Sequence, residues 1–158
     1  PSVTTPVPIE QVKPQYTSNA MRAKVQGIVT LECVGNTVAG EYIGTAQWEG
    51  CSLRSLLEEA GVRSDAVDVV FRAADEYSDS IPLTRAMAGD VIVAFKMNGV
   101  TLPQSHGFPA RTIVPGHYGM KSVQWLTDIE VVDAEGQERD ARFHDAPFMA
   151  GSDKLIPQ

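Results

Sequence analysis

The chain has 158 residues and a mass of 17.1 kDa, and 43% of its residues are hydrophobic while 21% are charged. This length and apolar content predict one domain with a packed core and argue against global disorder. Because 20 acidic residues outnumber 13 basic ones, the net charge is −7 and nucleic acid is not expected as a partner. No apolar run reaches the roughly 20 residues of a membrane-spanning helix, and two cysteines and three scattered histidines argue against a disulfide framework or a zinc module.

The first predicted elements are an extended segment, a short helix and a strand. Residues 1–16 contain four prolines, which fix φ and remove backbone donors, so this segment is expected to be extended. Thr17 is a candidate N-cap of a helix that runs to about Lys24 and ends at Gly27. The β-branched residues 28–31 then predict a strand that finishes at Cys33.

The clearest helix in the chain follows Ser52, a candidate N-cap. Apolar residues recur at helical spacing from Leu53 to Ala60, and Gly61 stands where a C′ glycine belongs. Further strands are predicted over residues 67–71, 91–97, 111–114 and 123–132, with a turn at Asn98-Gly99 between the second and third of these. Strands outnumber helices without regular alternation, so the predicted fold class is α+β.

Cys33 opens the first of three segments that carry candidate chemistry. A thiol at the end of a strand, followed by the turn-prone Gly35-Asn36, is expected at the rim of a sheet. Such a thiol could be functional, by analogy with reactive thiols, which need special surroundings. The alternative is a buried structural cysteine, which is how most free cysteines behave.

The other two segments place cations beside loops rich in glycine and proline. They are residues 106–111, which contain Arg111, and residues 115–122, which contain Lys121. Glycine lets backbone N–H groups approach an anion closely, and arginine contacts a phosphate through two donors. These segments therefore indicate a phosphate or pyrophosphate site, the alternative being a tight loop with solvated cations.

A series of collinear stretches, over about residues 30–133, extends these motifs. They are Leu31-Glu32-Cys33-Val34-Gly35-Asn36, Trp48-Glu49-Gly50 with Leu53, Val70-Phe71 leading to Asp75, Ser80-Ile81-Pro82-Leu83, Met97-Asn98-Gly99, His106-Gly107-Phe108-Pro109 with Arg111, and Val114-Pro115-Gly116-His117-Tyr118-Gly119-Met120-Lys121-Ser122-Val123-Gln124-Trp125-Leu126. This part of the chain resembles the molybdopterin-binding domain of the sulfite oxidase family of oxidoreductases. The resemblance implies an α+β fold of that type, with mixed sheets and a few short helices.

The resemblance also implies a cofactor, molybdenum-molybdopterin, and a set of site residues. Cys33 occupies the position of the thiolate that binds molybdenum, and Trp48 matches an aromatic residue beside the substrate pocket, sealing of the core being its alternative role. The residues that match cofactor-binding positions are Cys33, Asn36, Asp75, His106, Arg111, Gly119, Lys121 and Ser122. Family chemistry is oxygen-atom transfer at the metal or reduction of an S- or N-oxide, with electrons passed to a haem or quinone-linked partner.

Two departures from the family pattern affect the expected substrate and cofactor contacts. Thr37 and Val38 stand where sulfite oxidases carry an arginine of the anion pocket, which makes sulfite doubtful as the substrate. Gln124 stands where the family usually has a lysine. A small oxyanion or an S- or N-oxide remains the expected substrate class. The resemblance implies a periplasmic or exported protein, although no signal peptide is visible in the sequence.

The N-terminal segment of the chain departs further from the pattern of the sulfite oxidase family. Residues 10–34, with Pro14, Tyr16, Ala20 and Gln26-Gly27, resemble the C-terminal domain of TonB-like proteins, which bind extended peptides by strand addition. This suggests a composite chain, natural or engineered. The predicted organisation is residues 1–30 as the Pro-rich and TonB-like unit, 31–133 as the molybdopterin-binding-like domain, and 134–158 as a polar tail. The alternatives to an oxidoreductase are a scaffold that no longer holds the cofactor and a peptide-binding module.

Overall fold

The computed structural model describes residues 24–135 of the chain. Its elements are, in order, β1 (Lys24–Glu32), β2 (Ile43–Ser52), α1 (Leu53–Ala60), β3 (Asp68–Ala73), β4 (Ser78–Pro82), α2 (Leu83–Ala86), β5 (Ile92–Met97), β6 (Val100–Thr101), a 3₁₀ turn (Gln104–His106), β7 (Arg111–Ile113), a second 3₁₀ turn (Gly119–Lys121) and β8 (Leu126–Val132). No helix within residues 24–135 is long and apolar enough to cross a membrane.

The strands form two antiparallel sheets. In the five-stranded sheet the order is β1-β2-β5-β6, and β7 also pairs with β5. In the three-stranded sheet β3 lies between β4 and β8. The register of β2 against β5 shifts between Glu49 and Gly50, and a Cβ added at Gly50 would collide with the Val93 carbonyl oxygen. Glycine is therefore required where these two strands approach each other.

The main hydrophobic core joins the two sheets and α1. Its buried members are Cys51, Leu53, Leu57, Val69, Phe71, Ala73, Ile81, Ala86, Val91, Val93, Ala110, Val114 and Val123. A second cluster lies on the opposite face of the five-stranded sheet and contains Ala46, Trp48, Ile92, Ala94, Leu102 and Ile113. Because strand side chains alternate between faces, neighbouring residues such as Ile92 and Val93 enter different clusters.

The predicted α+β class is confirmed, and α1 begins and ends where the sequence predicts. Ser52 has the extended backbone of an N-cap, although its side chain makes no capping hydrogen bond, and Gly61 is left-handed with φ 77°. Asn98 and Gly99 both have positive φ and connect β5 to β6 as the predicted turn. Glycine and asparagine adopt this backbone more readily than other residues, so the turn could be predicted from sequence.

The predicted helix that reaches Lys24 and ends at Gly27 is wrong in its described part. Residues 24–27 belong to β1 and pair with residues 48–51 of β2, because burying every second residue against the second cluster favours an extended chain. Thr17 and the rest of that predicted helix lie outside the described residues.

The strand predicted over residues 123–132 begins later, at Leu126. Trp125 has φ +49° and cannot continue an extended strand, and Val123 and Trp125 lie before β8. Three strands were missed, β2, β4 and the two-residue β6. In β4 the buried run Ser78-Asp79-Ser80 is polar, so hydrophobic patterning does not reveal it.

Candidate active site

Cys33 follows the last residue of β1, and its thiol is free and exposed. Its backbone N–H donates to the Tyr42 carbonyl oxygen at 2.9 Å, and its own carbonyl accepts from the Asn36 N–H at 2.9 Å. The Asn36 side chain closes this loop, because its Oδ1 accepts from the Tyr42 N–H and its Nδ2 donates to Glu32, each at 3.0 Å. Asn36 therefore holds the backbone around Cys33 and leaves the sulfur accessible.

The turn Gly119–Lys121 packs against the strand end that carries Cys33. A Cβ added at Gly119 would lie 3.4 Å from the carbonyl oxygen of Glu32, the residue before Cys33. A Cβ at this distance would be in van der Waals contact with the Glu32 carbonyl, so the turn and the end of β1 are direct neighbours. The fold thus brings two segments that are far apart in sequence next to each other.

A cavity of about 350 Å³ opens beside this turn. Its lining residues are Asp75, Tyr77, Gly119, Met120, Ser122, Val123, Gln124 and Trp125. Three predicted cofactor-binding residues are among them, namely Asp75, Gly119 and Ser122. A larger cavity of about 570 Å³, between the end of α1 and β8, is lined by none of the predicted site residues. The smaller cavity is therefore the better candidate site.

Lys121 is buried, and its ammonium group is engaged by β4. Nζ donates to Asp79 Oδ1 at 2.9 Å and to the Ser80 carbonyl oxygen at 3.0 Å. The Asp79 side chain is only 1% exposed and also accepts from Tyr77 Oη at 3.2 Å. Burial, together with the negative charge of Asp79, raises the pKa of Tyr77. The negative charge of Asp79 therefore balances the positive charge of Lys121 inside the protein.

Arg111 is also buried and connects two loops. Its Nη1 donates to the His106 carbonyl oxygen at 3.2 Å, and its Nη2 donates to the Ser122 carbonyl oxygen at 2.8 Å. The guanidinium carbon lies 5.1 Å from the centre of the Trp48 ring. Burial lowers the pKa of Arg111 to about 10, and its Nε has no hydrogen-bond partner in the described part of the chain.

The other predicted site residues have local partners. Ser122 is buried, and its Oγ accepts from the Val114 N–H at 3.1 Å. Asp75 is exposed and accepts from the Tyr77 N–H at 3.2 Å. His106 is exposed and contributes its carbonyl oxygen to Arg111.

Trp48 is 3% exposed and belongs to the second cluster, where its Nε1 donates to the Val29 carbonyl oxygen at 3.4 Å. This placement matches the core-sealing alternative. The predicted residues thus fall into separate places. Asp75, Gly119 and Ser122 line the cavity, and Arg111 meets Trp48 and the His106 carbonyl oxygen. Cys33 and Asn36 form the loop after β1 and are not among the residues that line the cavity, and Lys121 is paired with Asp79.

Asp79 and Tyr77 were missed by sequence reasoning. Asp79 is the buried partner of Lys121, and Tyr77 lines the cavity and contacts both Asp79 and the Met120 carbonyl oxygen. The available signal was a carboxylate in a strand between two serines, which becomes informative only once a distant cation is known to face it.

A family model described as the oxidoreductase molybdopterin-binding domain matches residues 11–139. The chain belongs to this family. The prediction of the family, and of molybdenum-molybdopterin as the family's cofactor, is therefore confirmed. The match begins at residue 11, inside the segment likened to TonB-like proteins, so that likeness and a composite origin stay predictions.

Curated relatives of this molybdopterin-binding domain include sulfite oxidases and a nitrate reductase. The chain is 39% identical to mitochondrial sulfite oxidase of Rattus norvegicus over 131 residues, 68% of this chain and 24% of the relative. It is 41% identical to sulfite oxidase of Gallus gallus over 135 residues, 70% and 29% of the two chains. Nitrate reductase [NADH] 2 of Nicotiana tabacum is 37% identical over 136 residues, which cover 78% of this chain and 15% of that relative.

Among solved structures, the sulfane dehydrogenase SoxCD of Paracoccus pantotrophus matches with a TM-score of 0.65 and 27% identity. The match covers 76% of this chain and 35% of that one. The predicted sulfite-oxidase-type fold is confirmed by this likeness. The chain spans between about a seventh and about a third of the length of these relatives.

Proposed function

We propose that this chain is the molybdopterin-binding part of an oxidoreductase, and that the Cys33 sulfur is its molybdenum ligand. The observation that carries the proposal is the exposed thiol at the end of β1, with the Gly119–Lys121 turn packed against the same strand end. A thiolate in this place is accessible to a bound group, and Asn36 holds the backbone on either side of it.

The donor set of the described residues fits molybdopterin. No group of three histidine, cysteine, aspartate or glutamate side chains within residues 24–135 could hold a metal ion. A single soft thiolate therefore fits a metal whose other ligands come from a cofactor. When bound, molybdopterin supplies the dithiolene sulfurs and the oxygen-atom transfer chemistry of the metal.

Several residues would orient the cofactor without touching the metal. Asp75 and Ser122 line the cavity beside the Gly119–Lys121 turn, and the exposed Asp75 carboxylate would offer a polar group to the pterin, whereas the Ser122 Oγ accepts from the Val114 N–H. Arg111 would fix the carbonyl oxygens of His106 and Ser122 by hydrogen bonds. Lys121 would anchor the Gly119–Lys121 turn to β4. In this proposal the two buried cations set the shape of the cofactor site, and direct phosphate contacts are secondary.

A small oxyanion or an S- or N-oxide is the proposed substrate class. The support is that relatives are named for sulfite and nitrate. Thr37 and Val38 follow Cys33 in its exposed loop and offer no cation to an anion, so sulfite is the less favoured member of the class. A haem or quinone-linked electron partner and a periplasmic location belong to the same proposal.

Molybdenum content tests the assignment of Cys33. The full chain is produced in cells with active cofactor synthesis, and bound molybdenum is measured by mass spectrometry. We expect about one molybdenum per wild-type chain and less than about a tenth of that for Cys33→Ser. Cys51→Ala is the matched control, because Cys51 is buried in the main core and should leave the molybdenum content unchanged. Equal molybdenum in wild type and Cys33→Ser would contradict the assignment.

A second candidate function is a folded scaffold that binds no cofactor. It is favoured by the buried Lys121–Asp79 pair and by the internal partners of Arg111, since neither cation is directed into the cavity. It predicts that wild type lacks molybdenum and visible absorption, and that Cys33→Ser unfolds at the same temperature. Molybdenum bound through Cys33 would rule this alternative out.

A further inference from the structure

The outer edge of β1 is unpaired in the described structure. β1 pairs with β2 along one edge, and no residue within 24–135 pairs with the other. The strand is nine residues long, contains no proline, and carries charges only at its first and last residues. Such an edge presents a row of backbone donors and acceptors to which another strand can add.

Both faces of this edge carry apolar side chains that a neighbouring strand would cover. Ile28, at the centre of β1, is 76% exposed. On the opposite face Val25, Val29 and Leu31 are half-buried and pack against the second cluster. A strand added beside β1 would bury Ile28 and extend the second cluster outward.

The sequence of β1 is complementary to itself in antiparallel orientation. When two copies pair about Ile28, Lys24 of one faces Glu32 of the other at both ends, and Val25 faces Leu31 on the face of the second cluster. The two copies of Ile28 flank the two-fold axis and face each other across it. In each facing pair the two side chains lie on the same side of the sheet, because their residue numbers differ by an even number.

We propose that two copies of this chain associate through β1, joining their five-stranded sheets into one continuous sheet across a two-fold axis. The Lys24 ammonium is available for this pairing, since its contact with Glu49 is long, at 3.8 Å, and its side chain is 46% exposed. The opposite charges at the two ends favour a second copy over an unrelated peptide strand. The interface uses neither the Cys33 thiol nor a residue that lines the cavity, but its terminal Glu32 also accepts from Asn36 Nδ2 at 3.0 Å and so adjoins the Cys33 loop.

Sedimentation equilibrium of the full chain tests the association. Wild type is expected to reach twice its 17.1 kDa mass as concentration rises. Ile28→Lys places two like charges on the axis and removes the apolar contact, so its dimer dissociation constant should rise roughly tenfold or more. Val100→Lys, at an exposed valine in β6, is the matched control and should dimerise like wild type.

Disulfide trapping tests the register, in a Cys33→Ser background that removes the exposed native thiol. Facing residues of antiparallel strands have Cα atoms about 4.5–5.5 Å apart, within disulfide range, so Ile28→Cys should cross-link under mild oxidation. Thr30→Cys is the control on the same face and strand. Its two copies would lie four residues out of register, about 13 Å apart, and should not cross-link.

Three outcomes would overturn the proposal. A wild-type monomer at all concentrations would mean that the edge is covered by another segment of the chain or takes a different partner, such as a peptide strand. A dimer unaffected by Ile28→Lys would place the interface elsewhere. Cross-linking of Thr30→Cys as fast as Ile28→Cys would exclude this register.

Discussion

The loop after Cys33 and the Gly119–Lys121 turn meet at one end of β1 but are stabilised in opposite ways. The Cys33 loop is held by backbone hydrogen bonds and by Asn36, and its thiol is exposed. The turn and the residue after it are held by buried cations, Lys121 and Arg111, whose partners lie within the protein. The difference indicates that buried charged groups stabilise the turn beside the cavity, while the Cys33 sulfur stays accessible to a ligand.

Removing the counter-charge of Lys121 should have the largest effect on stability. Asp79→Asn keeps the shape of the side chain but leaves a buried ammonium group without a balancing charge. Breaking such a pair typically costs about 3–5 kcal/mol, which urea unfolding would measure as a lower transition midpoint.

A double-mutant cycle separates the pair from its surroundings. Adding Lys121→Met to Asp79→Asn removes both charges, so the double variant should be more stable than Asp79→Asn alone. If the losses in unfolding free energy of the two single variants simply added in the double variant, Lys121 and Asp79 would not be coupled. The turn would then not be stabilised by a buried charge pair, and the contrast between the two regions would not hold.

Arg111→Met should rank second, at about 2 kcal/mol. It removes the donors to the His106 and Ser122 carbonyl oxygens, while the methionine chain still packs on Trp48. Arg111→Lys retains the positive charge but cannot reach both carbonyls with a planar fork, so it should restore little of the loss. Thermal unfolding of the three proteins measures this, and full rescue by lysine would show that charge alone matters.

Asn36→Ala should cost about 1 kcal/mol, since it deletes the side-chain hydrogen bonds that close the Cys33 loop. Its local signature is faster hydrogen exchange at the Tyr42 amide. Thr37→Ala in the same loop is the control and should leave that exchange rate unchanged. Equal exchange in Asn36→Ala and wild type would show that backbone contacts suffice to hold the loop.

The exposed Arg85–Asp90 pair provides a pH-dependent contrast to the buried pair. The hydrogen bond from Arg85 lowers the pKa of Asp90. Asp90 therefore contributes stability above its unfolded pKa, and this contribution is lost as the pH falls through the lower folded pKa. Because the Asp90 side chain is 56% exposed, Asp90→Asn should cost at most about 1 kcal/mol at neutral pH. The two unfolding curves should converge in acid; a constant difference at all pH values would contradict this.

Cys33→Ser should have the smallest effect on folding, within about 0.5 kcal/mol, because the exposed thiol has few contacts to lose. Calorimetry of cofactor-depleted protein measures it. A loss above about 2 kcal/mol would identify Cys33 as a structural residue and remove the contrast between the two regions.

The parts of the fold that sequence predicted correctly depend on neighbours in the chain. The spacing of Leu53 and Leu57 and the glycine at position 61 were sufficient for α1, and the Asn98-Gly99 turn follows from backbone preference. β1 was predicted too short, because Lys24 to Gly27 become a strand only by pairing with β2. At the site, the exposed thiol at a strand end was foreseeable, whereas the burial of Lys121 was not.

The sequence by itself determined the family, the cofactor class and the position of a single thiol after a strand, since these follow from motifs of contiguous residues. Only the tertiary structure decided what the cations do. Lys121 meets Asp79 across 42 positions, and Arg111 lies over Trp48 of another strand. The physical reason is that burial makes an unbalanced charge costly, so each cation takes whichever partners the fold brings to it, and no local pattern names them.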